Sequence, residues 1–192
     1  MLILVRHGRT AANAAGLLQG RTDNPLDRIG LLQAEAIAGA IGHVDRLISS
    51  PLKRALETAA AFGTDTDVDD RFAELDFGEL ESVAISEVAP EIWSEWQSSI
   101  DYRPPGGETI RELGVRVREA LSELVEDAAG TDIVVISHVS PIKAGAAWAL
   151  GAGDDVGWRT HLGQASISRI IMRNGVPMLL SFNETAHLDR ID

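Results

Sequence analysis

Two kinds of segment alternate along the chain: short apolar runs that end abruptly in polar residues, and longer stretches with apolar positions at helical spacing. Leu2-Ile3-Leu4-Val5, Arg46-Leu47-Ile48-Ser49 and Asp132-Ile133-Val134-Val135-Ile136 are too short for helices, and their nearly unbroken apolar character predicts buried strands. Ile29, Leu32, Ala36, Ile37 and Ala40 fall on one helical face, opened by Asp27 as N-cap and stopped by Gly42. Ile110, Leu113, Val117, Leu121 and Leu124 form a second face, and Thr109 with Glu112 has the S/T-x-x-E spacing of a capping box. Residues 167–172 and 176–182 flank Asn174-Gly175, a dipeptide that tolerates positive φ at both positions and so predicts a tight hairpin. The order of these elements predicts an α/β fold: a three-layer α/β/α sandwich with a mostly parallel central sheet and an antiparallel C-terminal hairpin.

Composition narrows the functional classes. A chain of 192 residues with 45% hydrophobic residues can fill one core, so one domain over 1–192 is expected, and no repeat, low-complexity tract or linker divides it. The net charge of -12 argues against nucleic-acid or anionic-membrane partners, which require a basic surface. A small phosphorylated substrate remains compatible, because a few arginines can make a locally positive pocket when salt screens charges beyond ~10 Å. The absence of cysteine removes disulfides, thiolate metal sites and thiol nucleophiles. The apolar opening ends at Arg6, short of the ~20 residues of a membrane span, so a cytoplasmic protein is the expectation.

In an open α/β sheet, ligands gather beyond the carboxyl ends of the parallel strands. Here the first strand runs into Arg6-His7-Gly8, the second into Ser49-Ser50-Pro51 with Arg54 one turn on, and the third into Ser137-His138. Ser50-Pro51 and Ser140-Pro141 read as N-cap and first-position pairs that open helices toward the crevice, where a helix N-terminus favours an anion. A single histidine after a strand usually reads as a hydrogen-bonded structural residue. Two imidazoles and two guanidinium groups at three strand ends point instead to phosphate chemistry, since arginine donates bidentate bonds to phosphate and stays charged. A metal site is disfavoured by the lack of cysteine and of H-x-x-x-H or H-E-x-x-H spacing.

These residues resemble the histidine phosphatase superfamily, which includes cofactor-dependent phosphoglycerate mutases and many small phosphatases. Leu4-Val5-Arg6-His7-Gly8-Arg9-Thr10 with Asn13 is similar to the opening motif L-[VI]-R-H-G-x-[ST]-x-x-N, and Gln19-Gly20-Arg21, Asp23, Pro25-Leu26, Gly30 and Gln33-Ala34 continue in register. Ser49-Ser50-Pro51-Leu52-Lys53-Arg54-Ala55 with Thr58-Ala59, Glu74-Leu75-Asp76-Phe77-Gly78, Pro105 to Thr109 and Ser137-His138 complete the likeness over nearly the whole chain. The resemblance implies that His7 attacks phosphorus and carries the phosphoryl group, that Arg6, Arg54 and His138 line the phosphate pocket, and that Glu74 gives the leaving oxygen its proton and then activates water. Thr10, Asn13, Gln19, Gly20 and Val139 are the expected substrate-binding positions. Neither metal nor cofactor is implied. For His7 to be neutral at the attacking nitrogen, its other nitrogen is expected to donate to a backbone carbonyl.

Three departures carry their own expectations. Arg9 reads as a solvent-facing arginine or as an added positive group for a polyanionic substrate; Val139 follows His138 where glycine is frequent; and Leu80-Glu81-Ser82 replaces W-E-G. Glu79 and Glu81 read as exposed loop carboxylates that could compete with Glu74. Trp93 and Trp96, three apart, read as core packing, with a lid over the leaving group as the sharper alternative. His43, His161 and His187 receive no role.

The leading activity is phosphomonoester hydrolysis. A phosphoglycerate mutase is the runner-up, disfavoured because the longer family mutases carry basic residues in an insertion, whereas residues 81–99 contain no lysine or arginine. A non-catalytic phosphate-binding module is the third reading.

Overall fold

The computed structural model describes residues 1–189 and 191. Six strands form one sheet: β1 (Leu2–Arg6), β2 (Arg46–Ser49), β3 (Asp67–Val68), β4 (Ile133–Ser137), β5 (Ile167–Arg173) and β6 (Val176–Glu184), in the order β3-β2-β4-β1-β5-β6. The four strands from β3 to β1 run parallel, and β5 and β6 are antiparallel additions, as the sequence predicts. The hairpin turns through Asn174 and Gly175 at φ 53° and 75°, conformations that asparagine and glycine adopt at least cost. The edge strand β3 has no counterpart in the sequence reading: two exposed residues leave no periodicity to detect.

Seven α-helices accompany the sheet among the described residues: α1 (Ala11–Ala14), α2 (Arg28–Ile41), α3 (Lys53–Ala60), α4 (Pro90–Ser98), α5 (Ile110–Glu123), α6 (Val125–Ala128) and α7 (Val139–Leu150). Alternation along the strands sorts the core into two halves. Leu2 and Leu4 of β1, with Ile133 and Val135 of β4, pack with Leu113, Val117 and Leu121 of α5 and Ile142 of α7. Ile3, Val5, Val134 and Ile136 face the other way, with Ile37 of α2 and Ala55 and Ala59 of α3. A continuous apolar run is therefore what a strand covered on both faces requires, and the three-layer sandwich follows.

Helix α2 is capped by Asp27, which accepts from the Gly30 N–H, and α5 opens on the reciprocal Thr109–Glu112 box. The two Ser-Pro expectations are corrected. Helix α3 begins at Lys53, so Ser50 lies outside it and accepts a hydrogen bond from the Leu52 N–H at 3.3 Å. Helix α7 begins at Val139, with His138 at the cap and Pro141 in the third position, where a missing N–H removes no intrahelical bond. Another side chain, Glu74, takes the free N–H groups there, and no serine cap is needed.

Close backbone contact fixes the first loop on α2. A Cβ on Gly8 would lie 2.4 Å from the Gly30 carbonyl oxygen, and one on Gly30 would lie 2.0 Å from that of Arg9. Glycine at both positions lets the start of α2 press against the end of β1.

Candidate active site

The ends of β1, β2 and β4 bring His7, Arg54 and His138 together in a buried cluster. The Arg54 Nε donates to both His7 Nε2 and His138 Nδ1, at 3.2 Å each, and the imidazole centroids are 5.0 Å apart. An arginine nitrogen can only donate, so both ring nitrogens facing it must be unprotonated. The remaining nitrogens carry the protons: His7 Nδ1 donates to the Gly8 carbonyl at 2.6 Å, as expected, and His138 Nε2 donates to Ser50 Oγ at 2.7 Å. Tautomer and orientation of both rings follow from one guanidinium.

Electrostatics agree with that assignment. Burial, reinforced by the charges of Arg54 and Arg6, holds the His7 imidazole well below its ordinary pKa, against the smaller raising effect of its bond to Gly8. Burial likewise lowers His138, helped first by Arg54. Both rings are neutral at neutral pH. Arg6 is pushed down to about 10, mainly by burial, and stays charged. Its Nη1 donates to the Leu162 carbonyl at 2.7 Å, while its buried Nε has no partner among the described residues. Arg54 is anchored by Nη1 to the Thr22 carbonyl at 2.8 Å and by Nη2 to that of Gly20 at 2.7 Å.

Glu74 is buried beside the start of α7. One carboxylate oxygen accepts from the Leu75 and Ser140 N–H groups at 2.8 and 3.1 Å, and the other from the Val139 N–H at 3.1 Å. Arg116 of α5 holds the segment in front of it, donating to the carbonyls of Arg71, Ala73 and Glu74 while paired with Glu108. A carboxylate held by backbone donors near two buried arginines and two neutral imidazoles can exchange a proton with a group seated between them.

The expected substrate-binding residues divide. Gly20 and Val139 touch the cluster through Arg54 and Glu74. Thr10 instead caps α1, with its hydroxyl donating to Gln19 Oε1 at 2.8 Å and accepting from the Asn13 N–H at 3.1 Å, and Asn13 Oδ1 accepts from the Thr10 N–H. These three residues order the loop that delivers Gly20. Arg9 is a part-exposed arginine, in line with the solvent-facing reading, and its Nε pairs with Asp27, the α2 cap, at 2.7 Å. Glu79 is exposed, but Glu81 grips the same loop, accepting from the Arg21 N–H and the Thr22 hydroxyl at 2.6 and 2.9 Å.

Next to Glu74 a cavity of about 180 Å³ opens. Phe77, Trp93, Trp96 and Trp158 line it, with Val139, Ser140 and Lys143 of α7. Trp96 is buried in the core and Trp93 stacks on it at 5.6 Å, so both readings of this pair hold in part: they pack, and they wall a cavity. Arg116, Lys143 and Trp158 were not singled out from the sequence as part of a site, since single polar or aromatic residues outside a strand end carry no local signal.

The model for the histidine phosphatase superfamily (branch 1) matches residues 2–185. The chain belongs to the histidine phosphatase superfamily. Among its relatives in that superfamily, a bifunctional protein of Mycobacterium tuberculosis is 35% identical over 97% of this chain and 54% of its own length, so the chain spans about half of that relative. The Yersinia pestis "probable phosphoglycerate mutase GpmB" is 34% identical over 97% of this chain and 94% of its own. A crystal structure of an Entamoeba histolytica phosphoserine phosphatase variant in complex with phosphoserine superposes with a TM-score of 0.89 at 33% identity, covering 97% of this chain and 98% of the other. The family match spans all six strands of the sheet, including the antiparallel pair beyond β1.

Proposed function

We propose that the protein is a metal-independent phosphomonoester hydrolase that works through a phosphohistidine on His7. The observation that carries this reading is the shared donation of Arg54 Nε to His7 and His138, which leaves His7 Nε2 with an exposed lone pair only when the arginine turns to a ligand. A phosphoryl group entering the cluster would take the Arg54 and Arg6 donors and free Nε2 to attack. The nitrogen–phosphorus bond forms as the ester oxygen–phosphorus bond breaks, and Glu74 passes a proton brought in by the phosphomonoester monoanion to the departing oxygen. Water then attacks phosphorus, Glu74 takes its proton, and the nitrogen–phosphorus bond breaks to return neutral His7 and inorganic phosphate. Arg6 and Arg54 stabilise charge on the equatorial oxygens throughout, where most catalysis of phosphoryl transfer lies, and His138, held by Ser50, orients the Arg54 guanidinium through its Nδ1.

Likeness to GpmB supports a second reading, a phosphoglycerate mutase that returns the phosphoryl group to its substrate. The apolar cavity beside Glu74 and the absence of lysine and arginine from residues 81–99 favour the hydrolase. Hydrolysis of an aryl phosphate in the presence of chelator, by wild type and by His7→Ala, tests the proposal. Chelator-resistant turnover that vanishes in the variant is the expected result; equal turnover in both proteins removes His7 as the nucleophile, and turnover abolished by chelator removes metal independence.

A further inference from the structure

The cavity beside Glu74 is bordered by Leu75, Val139 and Ser140, the three residues whose N–H groups hold that carboxylate, whereas Arg6, His7 and Arg54 do not line it. It therefore lies on the side of the site from which a leaving group would be protonated. Its shape is set by aromatic planes. Trp93 and Trp96 stack within 13° of parallel, and Trp158 stands edge-on to both, at centroid distances of 6.3 and 5.9 Å. A cavity of about 180 Å³ exceeds the ~150 Å³ that accommodates a benzene ring by little more than a small substituent. Aromatic walls meeting edge-on favour a flat guest over a flexible one.

One charge on this wall makes no close ion pair among the described residues, with Glu74 acting on it only at longer range. Lys143 is partly buried and its Nζ donates to the Gly157 carbonyl at 2.8 Å, which leaves two N–H donors, and no carboxylate lies within 4 Å of it among the described residues. The other charged residue of the wall, Asp154, is already paired with Arg118 at 2.7 Å. A partly buried ammonium with donors to spare is costly unless paired, so this wall suits a guest that brings an anionic acceptor.

We propose that this cavity is the leaving-group site and that the preferred substrate is an aryl phosphomonoester whose single ring carries an anionic substituent, the ring lying against Trp93, Trp96 and Trp158 and the anion on Lys143. This inference rests on the phosphohydrolase reading and names its substrate class. Small aliphatic esters such as phosphoserine leave the aromatic walls unfilled.

Two measurements test it separately from hydrolysis as such. In the first, kcat/KM is compared for 4-carboxyphenyl phosphate, phenyl phosphate and phosphoserine, with wild type and Lys143→Met. The carboxylated aryl ester is expected to be the best substrate, and the variant to lose about tenfold more on it than on phenyl phosphate, the loss of one charge-assisted hydrogen bond. Phosphoserine equal to or better than both aryl esters, or equal losses on the two, overturns the proposal while leaving the hydrolase intact. In the second, calorimetric titration of His7→Ala with 4-hydroxybenzoate, phenol and serine reads the cavity without turnover. Tighter binding of 4-hydroxybenzoate than of phenol, weakened when Lys143→Met is added, supports the assignment even if no ester is hydrolysed and the hydrolase reading falls; failure to discriminate the three overturns it.

Discussion

Arg54 Nε stands 3.2 Å from His7 Nε2 with its guanidinium almost wholly buried, so the strongest donor of the site rests on the lone pair that a nucleophile needs. The guanidinium thereby fixes the tautomer of His7, and in the proposed mechanism an incoming phosphoryl group must draw it off Nε2. An Arg54→Lys variant keeps the charge but loses the planar fork that reaches both imidazoles and the Gly20 and Thr22 carbonyls. Its kcat on an aryl phosphate is expected to fall by roughly 10²–10³, the scale of removing one oriented donor to a charged transition state. Steady-state kinetics check this; a loss under threefold would contradict the role.

The lowered histidines make stability depend on pH in a stated direction. Between the ordinary value of 6.5 and the lower native values, the unfolded chain binds protons that His7 and His138 refuse in the native state. Stability is therefore complete above about pH 6.5 and declines as pH falls below it, by up to ~1.4 kcal/mol per pH unit for each imidazole. His187, lowered mainly by burial, adds to the slope. Thermal melts from about pH 7.5 to 5.5 should show a falling midpoint, and His138→Asn should flatten the decline.

Arg116 acts on Glu74 from a distance. It donates to the carbonyls of Arg71, Ala73 and Glu74 itself, away from the Glu74 carboxylate, and neutralises the largely buried Glu108. Arg116→Lys keeps the charge and gives up most of those bonds, so Glu74 should shift. The expected loss is on the order of 10²-fold in kcat for an alkyl phosphate, whose oxygen needs the proton, and much less for 4-nitrophenyl phosphate, whose leaving group does not. Equal losses on both esters would indicate a purely structural role.

Ser50 holds His138 by a 2.7 Å bond to its Nε2 and lies outside α3. Ser50→Ala frees the ring to rotate without removing any helix cap. About a tenfold fall in kcat is expected, the worth of one orienting hydrogen bond, with a melting temperature lower by only a few degrees because the His138 and Leu52 N–H groups lose their acceptor. Paired kinetic and thermal measurements distinguish this from a loss of folding.

The parts of the fold legible in the sequence are those where one local rule decides. The double-faced core makes β1 and β4 read as apolar runs, Asp27 and Thr109 cap their helices by their own side chains, and Asn174-Gly175 turns the hairpin. His7, Arg54 and His138 were found because a strand end is a position the chain advertises. What escaped was decided by distant partners. Pro141 looked like a helix start because nothing nearby reveals that Glu74, far away in sequence, would take the free N–H groups of α7. Arg9 reads from the sequence as a surface charge, but its partner Asp27 belongs to another element and gives no local signal of the pair. Lys143 and Trp158 acquire meaning only when α7 and the segment after it close over Trp93 and Trp96.

The central claim is that His7 itself carries the phosphoryl group. The most direct measurement is to mix the protein with a phosphomonoester, quench in alkali, where a phosphorus–nitrogen bond survives, and locate the phosphate by mass spectrometry of the peptides. The account predicts phosphate on the peptide holding His7 in wild type, lost on acid treatment, and none in His7→Ala. Full turnover with no phosphorylated His7 peptide at any quench time, or phosphate on another residue in His7→Ala with activity retained, would contradict it.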